Sequence, residues 1–75
     1  MTTYKNLNGD SGVLKYEIGG NYILISFEKT GLYEYNYINV GEMNVETMKK
    51  LAKQGYGLNT YINDYLKDKK VSRIS

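Results

Sequence analysis

The chain has no cysteine, no histidine, no proline and no tryptophan, and its one arginine is Arg73. Without cysteine there is no disulfide framework and no thiolate metal site. Without histidine the other common transition-metal ligand is missing too, so no metal site is expected. The same two absences remove the usual general base and the strongest nucleophile. A serine nucleophile would need a lysine or carboxylate base, and Ser11, Ser26, Ser72 and Ser75 fall in a leader, a strand and a tail. No catalytic residue is therefore assigned, and the chain is not expected to be an enzyme. The longest uninterrupted apolar run, Tyr22 to Ile25, is far too short to span a bilayer, and residue 1 is not followed by the basic and apolar regions of a signal peptide. These features point to a soluble protein of the reducing cytoplasm with no membrane partner. A single arginine also leaves little capacity for bidentate recognition of guanine.

What is present is one domain's worth of chain: 75 residues, nine of them tyrosine. Asparagine and lysine are also abundant, and all three have AT-rich codons, so tyrosine enrichment alone carries little functional weight. Charge is unevenly divided. Residues 1–45 hold three lysines and five acids, a net −2, and residues 46–75 hold seven bases and three acids, a net +4. The basic C-terminal half suits an anionic partner or a solvated helix surface.

Residues 1–12 are polar, with the turn formers Asn8-Gly9-Asp10-Ser11-Gly12, and are expected to form a flexible leader. Residues 13–70 are expected to form a single α+β domain, and 71–75 a frayed tail. Leu14, Tyr16 and Ile18 alternate with Lys15 and Glu17, which predicts a strand. Gly19-Gly20-Asn21 turns the chain into Ile23, Ile25 and Phe27, and a second turn at Gly31 leads to Tyr33, Tyr35 and Tyr37. The pattern is a three-stranded antiparallel meander over about 13–38, whose apolar face needs a cover. Two helices, 45–54 with Asn44 as N-cap and 58–69, supply it and pack on one face. The first carries Val45, Met48, Leu51 and Ala52, and the second Leu58, Tyr61, Ile62, Tyr65 and Leu66 at helical spacing. Gly55 suits the left-handed position that ends the first helix.

These residues in this order resemble the KTSC domain, a small module found at the C-terminus of some lysyl-tRNA synthetases and as a stand-alone protein. The likeness is carried by Tyr16-Glu17, Ile23-x-Ile25-x-Phe27, Gly31, Tyr33-x-Tyr35, Val40 and the stretch from Ala52 to Tyr65, spanning 13–66. The chain departs from the family pattern at Gly41, where a proline is usual, and at Lys53, where a serine is usual. The resemblance implies a small α+β fold and an association with RNA or translation, with no catalytic set or cofactor.

Four groups compete for functional meaning. Tyr33 and Tyr35 share the face that meets the helices and are better explained as core, leaving Tyr22 and Tyr56 as the exposed aromatics able to stack on a base. Lys49, Lys50 and Lys53 are expected on the polar side of the first helix, and Lys67, Lys69, Lys70 and Arg73 at and beyond the end of the second. Such groups neutralise phosphates, or simply keep a small protein soluble. The i, i+4 pairs Glu42/Glu46 and Asp64/Asp68 are read as solvated faces rather than a cation site. Gly55-Tyr56-Gly57 lacks the strand and Lys-Ser/Thr of a nucleotide loop. It is read as a tight turn with Asn59 bonding its own first helical turn, although Lys53, Tyr56 and the turn's amides are the first place to seek an anion. The expected function is a small non-catalytic binding module that engages RNA weakly through Lys49, Lys50, Lys53, Tyr56, Lys67 and Lys70. The alternative is a protein-interaction or homo-oligomeric module that uses a sheet edge or a tyrosine-rich surface.

Overall fold

In the computed structural model, residues 1–7, 9 and 12–75 are described. Their elements run β1 (Thr2–Thr3), β2 (Val13–Ile18), β3 (Tyr22–Phe27), β4 (Gly31–Asn36), α1 (Glu42–Gln54), α2 (Leu58–Tyr65) and β5 (Ser72–Arg73). All neighbouring strands are antiparallel, in the order β1-β2-β3-β4-β5. The α+β class, the antiparallel sheet and the two helices are as expected. The strand count is not: the sheet has two further strands at its edges, one from each terminal segment. Thr2 and Thr3 pair with Tyr16 and Lys15, while Ser72 and Arg73 pair with Glu34 and Tyr33. The turn formers Asn8, Asp10 and Ser11 of the expected leader lie outside the described residues.

One face of the sheet is apolar and carries the helices. Cross-strand pairing sets Tyr16 beside Ile25 and Ile18 beside Ile23, and these in turn beside Tyr33 and Tyr35. Ile23 and Ile25 are completely buried, and Phe27 meets Tyr33 edge to face at 5.7 Å. Across from them pack Val45, Met48 and Ala52 of α1 and Leu58, Ile62 and Leu66 from α2 and its end. The first of the expected inward residues is displaced. The β2–β3 register shifts between Val13 and Lys15, so that Val13 is buried and Leu14 is exposed. A bulge sets two residues against one, and here it exchanges which neighbour faces the core.

Both helices differ from their expected limits. α1 begins at Glu42 behind an N-cap at Gly41, and Asn44 lies inside it, donating from Nδ2 to the Val40 carbonyl at 2.7 Å and accepting the Tyr61 hydroxyl at 2.5 Å. A tertiary partner has taken the side chain that capping would have used. α2 stops at Tyr65 rather than 69, because Leu66 is drawn into the core and the chain beyond must return to the sheet edge at β5. Asp68 therefore lies off the helix that carries Asp64. Gly55 does end α1 in the left-handed conformation, with φ 89° and its N–H bonded to the Leu51 carbonyl.

Candidate nucleic-acid interface

The expected site residues separate into three environments. Lys49 is not on the open side of α1: it is 9% exposed. Its ammonium donates to the Glu46 carboxylate at 2.8 Å and to the Gly20 carbonyl at 3.0 Å, and lies 6.0 Å from the Tyr37 ring centroid. The Tyr37 hydroxyl donates to the same carboxylate at 2.8 Å. This cluster ties α1 to the β2–β3 turn. It also shapes two acidities. The Lys49 and Tyr37 hydrogen bonds hold the Glu46 carboxyl below its usual range. Donation to that carboxylate lifts the Tyr37 hydroxyl to about 12. Lys49 is thus a structural cation whose charge is already engaged.

Lys50 and Lys53 are exposed, one turn apart on α1, and form no ion pair among the described residues. Tyr56 follows in the turn between the helices with 47% of its surface open. Tyr22, the other aromatic expected in solvent, is half-buried with its ring laid over Gly19. Lys67 and Lys70 are exposed but lie elsewhere. The Tyr61–Asn44 hydrogen bond shows that α2 doubles back along α1, so the segment after Tyr65 starts beside the N-terminal end of α1. From Asn44 to Lys53 the helix rises about 14 Å. The expected basic surface is therefore two regions at opposite ends of the helix pair.

The turn itself is held by residues that sequence reasoning assigned to the leader. Tyr4 is buried, its N–H bonded to the Leu14 carbonyl at 2.9 Å, and its hydroxyl accepts the Leu58 N–H at 3.4 Å. That hydroxyl occupies the first amide of α2, in the first turn where Asn59 was expected to bond; the N-cap, Gly57, has no side chain to do so. The Leu7 N–H donates to the Gly55 carbonyl at 2.8 Å. Lys5 packs so closely on Gly55 that its Cβ would lie 2.8 Å from any Cβ placed there. Residues 2–7 form a strap from the sheet edge across the α1–α2 turn, and Lys5 adds a cation against Gly55. The available signal was faint: Thr2, Tyr4 and a period of two across three residues.

Elsewhere, an open depression of about 500 Å³ on α1 is bordered by Glu42, Met43, Glu46, Thr47 and Lys50. No group of three or more metal-ligating side chains gathers among the described residues, and no described helix is long and apolar enough to cross a membrane. Compared with family models, curated proteins and solved structures, the chain matches none, so nothing in those comparisons points to the KTSC domain.

Proposed function

We propose that this protein is a non-catalytic module that binds single-stranded RNA weakly, through phosphates and one stacked base, at the α1–α2 turn. The observation that supports this reading is the grouping of Lys50 and Lys53, neither in an ion pair among the described residues, with the half-open ring of Tyr56. Cations along a backbone path and an aromatic platform are the two components of sequence-tolerant single-strand binding. The excess of +4 in residues 46–75 supplies the attractive field. Anisotropy of a labelled oligouridylate across a salt series tests the idea. Lys50→Glu with Lys53→Glu should abolish binding while the melting curve stays intact, and Tyr56→Ala should cost about 1–3 kcal/mol with little change in salt slope. Equal affinity for wild type and double variant, or no binding by wild type at low salt, removes the reading.

A second reading, a protein-interaction module, is favoured by a different observation. Ile38 is 97% exposed and Met43 84% exposed. Ile38 stands on a turn fixed by reciprocal bonds: Asn36 Oδ1 accepts the N–H groups of Ile38 and Asn39, and Asn39 Oδ1 accepts that of Asn36. A rigid, branched apolar tip suits a partner's socket, because little entropy is lost on docking. The sheet edges suit this role less, since β1 and β5 are two residues each. Mass that rises with concentration at constant salt, and falls back in Ile38→Asp, would support self-association over RNA binding.

A further inference from the structure

We propose that the strap formed by residues 2–7 is part of the RNA site: Lys5 makes a phosphate contact of its own, and strand binding and strap docking stabilise one another. The inference rests on the RNA reading above and assigns a function to a segment whose sequence resembles a loose leader.

Three observations carry it. Lys5 is exposed, forms no ion pair among the described residues, and stands against Gly55, two residues from Lys53 and one from Tyr56. It adds a cation to a turn that Lys50 and Lys53 precede in the chain. The contact is also bonded to the turn's backbone. The Leu7 N–H to Gly55 carbonyl bond and the Tyr4 hydroxyl on the Leu58 N–H join strap and turn on both sides of Tyr56. Any movement that frees the strap therefore releases the start of α2 and the backbone that presents the ring. Finally, the strap's strand pairing is short: β1 is two residues long and both are exposed, and the one buried anchor beyond it is Tyr4. A terminal segment opens more readily than the core strands do. A ligand that touches both the strap and the turn binds only the docked state well, and by linkage it must shift the population toward docking.

The test uses the full chain with a short oligouridylate, read by anisotropy and by amide hydrogen exchange. Lys5→Glu and Lys5→Gln should each weaken binding several-fold, and the salt slope should fall by about 0.7, the value for one lost contact on a single strand. Lys5→Arg should restore affinity. Tyr4→Phe, which removes only the hydroxyl acceptor, should weaken binding and leave the slope unaltered, a change that a pure charge effect would not produce. Saturating oligomer should slow exchange at the Leu7 and Leu58 amides in the wild type. Wild-type affinity and slope in both Lys5→Glu and Lys5→Gln, or unaltered exchange at those two amides, overturns the strap's role while leaving Lys53 and Tyr56 as the site. Failure of the wild type to bind at low salt overturns both.

Discussion

At the scale of single residues, adjacent lysines in one sequence run have opposite roles. Lys49 and Lys50 differ in sequence by nothing that marks one as buried, yet Lys49 bonds to Glu46 and to the carbonyl of Gly20, and Lys50 makes neither contact. Hydrogen bonds to a charged group are worth about 1.5–3 kcal/mol each way of counting, so Lys49→Met should lower stability by roughly that amount. Lys50→Met should stay within about 0.5 kcal/mol of wild type. Urea midpoints of the two variants check this. The same cluster predicts an alkaline weakness. Tyr37 rises from its ordinary 10.0 to about 12, first because its hydroxyl donates to the Glu46 carboxylate. Tyr35 rises to about 12 first because it is buried. The folded state then keeps protons that the unfolded state releases, so unfolding free energy falls as pH rises through this range. The stabilisation is complete below pH 10 and is lost by the time the folded groups ionise near 12. Thermal midpoints of wild type should fall between those pH values more steeply than those of Tyr37→Phe, and parallel slopes would show that the hydroxyl contributes nothing.

At the scale of elements, the two glycines between the helices separate conformational strain from contact. Gly55 and Gly57 both have positive φ, 89° and 86°. An alanine at 57 meets ordinary packing, its nearest neighbour being Leu51 Cδ2 at 3.6 Å, whereas one at 55 would press into Lys5 at 2.8 Å. Gly57→Ala should cost about 1–2 kcal/mol for the left-handed backbone alone. Gly55→Ala should cost at least about 1 kcal/mol more, because the strap must shift and its bond to Gly55 weakens. Equal losses in denaturant would mean that the strap bears no load. The same segment shows where sequence reasoning reached its limit. β2, β3 and β4 are each six residues long, enough for a period of two to be read, and the apolar stripes of both helices repeat over two turns or more. β1 and β5 offer two residues each, too few for any period. The bulge at Leu14 inverts the pattern locally without altering composition. Asn44 resembles an N-cap until Tyr61, 17 residues later, is seen to claim it.

At the scale of the whole molecule, the candidate site was legible in its residue types but not in its grouping. Lysines and Tyr56 were visible from the sequence. The burial of Lys49 depends on Gly20, the arrival of Lys5 depends on the sheet edge, and the separation of Lys67 and Lys70 from Lys53 depends on α2 reversing along α1. That separation gives a prediction in terms of strand length. A short oligouridylate held at the α1–α2 turn can reach Lys50 and Lys53, and Lys5 if the strap takes part, so log affinity should fall with log salt at a slope of about −1.4 to −2.1. Lys67→Glu with Lys70→Glu should leave that slope unaltered, because the segment that carries them starts beside Asn44, about 14 Å of helix rise from Lys53. A longer strand that also reaches the second region should gain a slope of up to about −1.4 more, and the same double variant should abolish only that increment. Steering by net charge would act differently: it would alter affinity for short and long strands alike, since a long-range field does not depend on where the strand ends. Loss of short-strand affinity in the Lys67/Lys70 variant would therefore replace two separate contacts with one diffuse field, and the proposed phosphate path across the turn would be set aside.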